Sequence, residues 1–241
     1  MPTALITGGT TGIGRATAQL LLDRGYRVAV TGRNPDTVAS ARAALDGDVL
    51  VIRSDSASVA DIDALVADVG AQFGALDLLF LNAGVFRPGP VADVTESDFD
   101  AQVDVNFKGQ FFTLQRALPI LNDGGSIVMT VGLGASRGSV GAALGAGTRG
   151  ALLAMLPSLA VELAPRRIRV NAVSPGMTDT PLLDKLGVPQ GVRDDMATQI
   201  PLGRFATGRD IAETVAFLAS DAAGYITGQE ITVAGGHGLS A

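Results

Sequence analysis

The sequence predicts a doubly wound α/β domain built on a parallel sheet, and three observations carry that prediction. Short apolar runs of five to seven residues alternate with longer amphipathic stretches. The alternation of strand and crossover helix repeats along the chain with no linker-like interruption, so residues 1–241 read as a single domain. The first apolar run also empties into a glycine-rich turn, Thr7-Gly-Gly-Thr-Thr-Gly-Ile-Gly14, that opens a helix.

Taken in order, strands are expected near Thr3–Thr7, Arg27–Thr31, Asp48–Arg53, Leu76–Asn82, Ser126–Val131, Arg167–Val173 and Glu230–Val233. Helices are expected over Ile13–Arg24, after Pro35, over Val59–Phe73, roughly Ser97–Leu121, within Ala146–Leu163 and over Asp210–Ala219. Two segments break the pattern. Residues 177–207 mix Gly, Pro and both charges without a strand signal, as a substrate lid or loop insertion does. Gly132–Gly150 holds seven glycines and little that is polar.

Bulk composition narrows the function classes. A chain of 241 residues with 47% hydrophobic and 17% charged residues can bury a core on both faces of a sheet. A net charge of −6 argues against nucleic acid, which requires a basic face. No uninterrupted apolar stretch reaches the ~18 residues of a membrane span, and no leader-like segment precedes the first strand. With no cysteine and one histidine, His237, no metal site is expected. The expectation is a soluble, cytoplasmic protein that binds a small molecule, without nucleic-acid or membrane partners.

The glycine turn has the chemistry of a phosphate cradle. Gly8, Gly12 and Gly14 let the backbone turn sharply and approach a pyrophosphate, with Thr10, Thr11 and Ile13 between them. The helix that follows offers unpaired N–H groups and the positive end of its dipole. Dinucleotide folds that prefer NAD place a carboxylate at the end of the second strand, about 20 residues on, to hold the ribose 2′-hydroxyl. Here the strand ends Thr31-Gly-Arg-Asn34. Arg33, beside Asn34, is suited to a 2′-phosphate, a pairing worth about 1.5–3 kcal/mol. NADP(H) is the expected cofactor.

The turn, Asn82-Ala83-Gly84, and Ser174-Pro175-Gly176 with Thr180 together resemble the short-chain dehydrogenase/reductase family, and the likeness runs over essentially the whole chain. Asp55 matches the family's adenine-side aspartate, with Ser56 beside it, and Asn106 matches its helix asparagine. Arg169–Val173 matches the family's strand before the Pro-Gly turn, and Tyr225–Gly228 the approach to the last strand. The resemblance implies a Rossmann fold with a seven-stranded parallel sheet and helices on both faces, in a homotetramer or dimer. It places Asn82, Ala83, Gly84, Thr130, Pro175, Gly176 and Thr180 against the cofactor.

The family's catalytic serine, tyrosine and lysine are not matched. Their positions align with Gly132, Gly145 and Arg149, and Tyr26, Tyr225, Lys108 and Lys185 belong to other elements. Gly145 is expected to leave a void where a phenol would stand, open to a proton-delivering water. Asn106, Arg149 and His237 remain as catalytic candidates: Arg149 as a donor to ribose, His237 as the only imidazole with a pKa suited to acid/base work. Gly145, Gly147, Gly150 and Pro157 weaken their helix, so a late start, a kink or compensating packing is expected. The leading function is an NADP(H)-dependent oxidoreductase acting on a carbonyl or alcohol through a degenerate site. The rivals are a non-catalytic NADP(H)-binding subunit of an active homologue, and a non-redox cyclase or lyase.

Overall fold

The computed structural model describes residues 1–239. Seven strands form one parallel sheet: β1 (Thr3–Ile6), β2 (Arg27–Gly32), β3 (Val49–Arg53), β4 (Leu76–Leu81), β5 (Leu121–Thr130), β6 (Arg169–Pro175) and, last in the chain, β9 (Glu230–Val233). Their spatial order is β3-β2-β1-β4-β5-β6-β9. The chain winds outward from β1 in one direction and then returns to build the other half from β4. The reversal opens a crevice between β1 and β4 at the carboxyl edge of the sheet.

Side-chain alternation along the strands divides the core in two. Ala4, Ile6, Val28, Val30, Leu78 and Phe80 pack against α1 (Gly12–Asp23), α2 (Pro35–Ala44) and α9 (Gly208–Ala219). Leu5, Ala29, Leu79, Leu81, Ile127 and Met129 point the other way, onto α3 (Val59–Phe73), α5 (Gly109–Ala117) and α6 (Ala143–Leu163). A strand buried on both faces has no polar side to expose, so β1, β2 and β4 read as continuous apolar runs.

Four elements differ from expectation. The long helix over Ser97–Leu121 is instead α4 (Glu96–Val103), a π-helical turn at Asp104–Lys108, and α5. β5 begins at Leu121 rather than Ser126, with a register shift against β4 where Asn122–Gly125 bows out. α6 starts early, at Ala143, and continues through Pro157 because Leu152, Leu156 and Leu163 pack it onto the sheet. By length and composition its stretch Ala143–Arg166 is also long and apolar enough to cross a membrane, although polar residues interrupt its apolar run. The segment 177–207 is not a bare loop. It carries α7 (Pro181–Lys185) and α8 (Gln190–Thr198), and a short parallel pair of β7 (Thr178–Asp179) and β8 (Ala206–Thr207) closes its base.

Candidate functional site

The crevice between β1 and β4 is built from the glycine turn. Gly9 N–H donates to Thr31 C=O at 2.9 Å, tying the turn to β2. A Cβ on Gly14 would stand 2.3 Å from the Gly8 carbonyl oxygen and 2.7 Å from Asn82 Nδ2, so only glycine fits where the turn folds back on itself. Thr11 is the N-cap of α1, yet its side chain makes no capping bond and no acid stands in the first turn. In α2, α3, α4 and α9 the corresponding N–H groups are capped by Asn34, Ser58, Thr95 and Thr207, each with an acid in the first turn. The first-turn donors of α1 therefore lack an acceptor at the point where a phosphate would lie. Thr10 is buried and its hydroxyl is engaged with that of Thr37 at 3.2 Å. Ile13 packs into the core. Thr180, at the root of the 177–207 segment, lies over Gly12, its Cγ2 3.4 Å from the place of a Cβ there.

No carboxylate ends β2 itself, but Asp55, just past β3, reaches into the corner beyond it, its Oδ2 3.6 Å from Arg33 Nη1. Asp55 Oδ1 also accepts from Ala57 N–H at 3.0 Å, which shapes the turn containing Ser56. Asn34 is committed elsewhere, because its Oδ1 caps α2 by accepting from Asp36 N–H at 2.8 Å. Arg33 itself remains two-thirds exposed and is free to turn to a ligand.

At the end of β4, Asn82 locks three strands together. Its Nδ2 donates to the carbonyls of Thr7 at 3.2 Å and Gly8 at 3.1 Å, and its Oδ1 accepts from Thr130 Oγ1 at 3.1 Å. The backbone N–H groups of Asn82 and Ala83 both donate to Thr7 Oγ1, at 3.0 and 3.1 Å. Arg149 reaches this cluster from α6 and donates from Nη1 to Thr130 C=O at 2.6 Å. Its guanidinium lies so close on Gly84 that a Cβ there would stand 1.8 Å from Nη2. Enclosure by protein strips water from the cation and pulls its pKa down to about 10, so it remains charged at neutral pH.

Asn106 sits in the π-helical turn, fully buried. Its Oδ1 accepts from Val85 N–H at 2.8 Å, and its Nδ2 donates to Val85 C=O at 2.9 Å and to Thr148 Oγ1 at 3.1 Å. Both amide hydrogens are used, so Asn106 positions backbone and has no donor left for a substrate. One helical turn earlier, buried Gln102 holds Arg87 in the same two-bond manner at 3.4 and 3.3 Å. The amides thus grip residues 85 and 87 as a partner strand would, and Phe86 between them is directed onto α6. Its ring carbons lie 2.9 Å from where a Gly145 Cβ would be. The expected void at Gly145 is occupied by the Phe86 ring. Sequence reasoning passed over Phe86 and Gln102; the spacing of Gln102 and Asn106, four apart on one helix face, was the available signal.

Of the remaining candidates, Gly132 follows β5 with φ 107°, a conformation strained for any side chain. Pro175 ends β6, and Gly176 N–H donates to Val233 C=O at 3.0 Å. His237 is not brought to Asn106 or Arg149. It lines a separate cavity of about 190 Å³ with Leu133, Ser136, Arg137 and Leu239, its Nδ1 buried without a partner among the described residues. An open apolar groove of about 430 Å³ runs between Val91–Phe99 and Ala143–Leu144 and contains none of the expected site residues.

The chain matches known proteins along nearly all of its length. A family model described as enoyl-(acyl carrier protein) reductase covers residues 8–238. The 3-oxoacyl-(acyl-carrier-protein) reductase FabG of Staphylococcus aureus is 38% identical over 239 residues, 97% of this chain and 96% of the relative. That of Thermotoga maritima is 36% identical over 237 residues, covering 96% of each. Among solved structures, a short-chain dehydrogenase/reductase from Serratia marcescens superposes with a TM-score of 0.91 at 34% identity, covering 98% of this chain and 97% of that one. Levodione reductase gives 0.92 at 29% identity, covering 100% and 98%. With a family model spanning the sheet and relatives above 30% identity end to end, the chain belongs to the short-chain dehydrogenase/reductase family, as an oxidoreductase-type Rossmann fold.

Proposed function

We propose that this chain binds NADP(H) as a single domain, with 177–207 as a lid over the nucleotide, and acts as an oxidoreductase on a small carbonyl or alcohol through a site without the family's serine, tyrosine and lysine. The observation that carries the cofactor is the α1 N-terminus, which meets the crevice uncapped and acid-free, beneath a glycine turn that only Gly14 can close. Gly8, Thr11, Gly12 and Ile13 would hold the pyrophosphate. Asp55 and Ser56 would hold the adenine side, and Arg33 the 2′-phosphate. Asn82, Ala83, Gly84, Thr130, Pro175, Gly176 and Thr180 would line the nicotinamide side. The cofactor, when bound, supplies a hydride donor or acceptor.

The residues of this chain supply placement and charge. Asn82 and Thr130 fix the floor, Asn106 and Gln102 fix the wall at 85–87, and Arg149 presents a fixed positive charge. Phe86 against Gly145 leaves no protic side chain at that position, which favours a second reading, a nucleotide-binding subunit that stabilises an active homologue. Exposed Phe111 (40%) and Val161 (76%) fit a homo-oligomer or such a partnership, in the cytoplasm.

The test is a fluorescence titration with NADPH and NADH. Arg33→Gln is expected to weaken NADPH about ten- to a hundred-fold, the worth of a charge-assisted pair, and to leave NADH within a factor of about three. Equal weakening of both overturns the assignment to NADP(H). NADPH oxidation across a carbonyl panel then separates the readings, because tight binding without turnover favours the partner subunit.

A further inference from the structure

We propose that the cavity between the β5–α6 loop and the turn after β9 binds a short aliphatic carboxylate, held at its charged end by Arg137 and His237. None of the residues assigned to the nucleotide lines this cavity, and the site stands whether or not the crevice binds NADP(H).

The cavity, about 190 Å³, lies between residues 133–137 and 232–239. That is the share of about six water molecules at ~30 Å³ each, enough for a small organic acid and too little for a nucleotide. Its back wall is fixed by contact. Gly235 and Gly236 have φ 60° and 86°, and a Cβ on them would stand 3.0 Å from Ile200 Cγ2 and 2.9 Å from Pro201 Cγ. Leu202 N–H donates to Gly235 C=O at 3.1 Å, and His237 N–H to Ala234 C=O at 3.0 Å. The turn is thus seated on the end of the 177–207 segment.

The polar lining is Ser136, Arg137, Thr232 and His237, each able to donate a hydrogen bond and none of them an acid. Arg137 lies along Gly238, its Cγ and Nε 3.5 Å from the place of a Cβ there. Among the described residues no carboxylate is within ion-pair distance of it. Ser136 Oγ donates to Leu133 C=O at a long 3.4 Å, a bond easily given up. His237 Nδ1 is shut from solvent with no partner among the described residues. An N–H buried there would have no acceptor, so the ring carries its proton on Nε2, the one atom left to meet a ligand.

Leu133, Ala234 and Leu239 make the rest of the lining apolar, apart from glycine backbone. A cluster of donors around one positive charge attracts an anion. The apolar neighbours suit a hydrocarbon body, which inorganic phosphate lacks. Ser136 and Arg137 are exposed, so a ligand enters from their side.

Butyrate is the probe, and His237, the only histidine in the chain, is the reporter. Its ring-proton NMR signals are followed in the untagged full chain as butyrate replaces chloride at constant ionic strength. A saturable shift is expected. Arg137→Gln is expected to raise the butyrate dissociation constant about tenfold, as for a lost charge-assisted bond. Leu239→Asp sets an acid against the same donors and is expected to abolish the response. Both positions are exposed, so the fold is expected to tolerate both changes. Butyramide keeps the body without the charge, and inorganic phosphate the charge without the body. Each is expected to bind at least about tenfold more weakly than butyrate.

A histidine signal that ignores butyrate overturns the proposal, and that measurement needs no variant. A dissociation constant unchanged in Arg137→Gln, or a response retained in Leu239→Asp, puts the anion elsewhere and also overturns it. Butyramide binding as tightly as butyrate takes the charge out of the recognition, and phosphate binding as tightly takes out the hydrocarbon body. Either result overturns the assigned ligand class.

Discussion

The glycine turn at residues 8–14 and the glycine-rich stretch at 132–150 look alike in sequence and differ in what surrounds them. In the first, glycine is demanded by contact: a Cβ on Gly14 meets backbone at 2.3 Å, and one on Gly9 meets Val30 at 2.6 Å. In the second, Gly134, Gly138, Gly147 and Gly150 have nothing within 4 Å of the place a Cβ would take, and Gly132 has one oxygen at 4.0 Å. The exceptions are Gly145, pressed by Phe86, Gly141, whose Cβ place lies 3.2 Å from Gly89 N at φ 75°, and Gly132, whose φ of 107° suits only glycine. Gly8 and Gly14 are glycine because backbone must approach backbone. Gly134, Gly138, Gly147 and Gly150 are glycine where no contact requires it. A motif of glycines thus marks a cradle only where the structure closes around it.

The comparison can be broken most sharply at Gly14. Gly14→Ala forces a methyl into the Gly8 carbonyl, where neither side can yield without opening the turn. It is expected to lower stability by about 3 kcal/mol, the upper range for overpacking, and to abolish nucleotide binding. Urea unfolding with a parallel NADPH titration reads both. Near-normal stability would show that the turn is looser than its contacts imply.

Gly145 tests one of the exceptions. Gly145→Ala is expected to destabilise by about 1 kcal/mol, because the methyl displaces a ring whose backbone is held at both neighbours. In a Phe86→Ala background the sign should reverse, since only the helix propensity gain of up to about 1 kcal/mol remains. A double-mutant cycle by denaturant unfolding measures the reversal, and additive effects would show that Phe86 does not occupy the slot.

The smallest effects are expected further along α6. Gly147→Ala and Gly150→Ala add a methyl into open space within a helix, so each should stabilise by about 0.5–1 kcal/mol. The resulting rise of roughly 2–4 °C per kcal/mol in Tm is measurable by calorimetry. Destabilisation at either position would mean that this face of α6 is covered by a neighbour, as in an oligomer.

The sequence by itself determined the sheet and the cradle. Strands buried on both faces must be apolar throughout, so β1, β2 and β4 are legible as runs, and the motif at Thr7–Gly14 sits where a strand hands over to a helix. It also determined that neither of the two tyrosines, Tyr26 and Tyr225, and neither of the two lysines, Lys108 and Lys185, lies in α6.

Tertiary structure decided what surrounds Gly145, Arg33 and His237. That Phe86 lies on Gly145 depends on two amides from another helix gripping residues 85 and 87, contacts 15 and 21 residues distant in the chain. That Arg33 shares its corner with Asp55 depends on β2 and β3 lying side by side. That His237 lines a cavity with Leu133 and Arg137, one that does not include Arg149, depends on where the chain runs after β9. Local pattern records which surfaces a segment must bury and where backbone needs freedom. It carries no record of which distant side chain arrives at a given point, and here that arrival sets the shape and charge of the cleft.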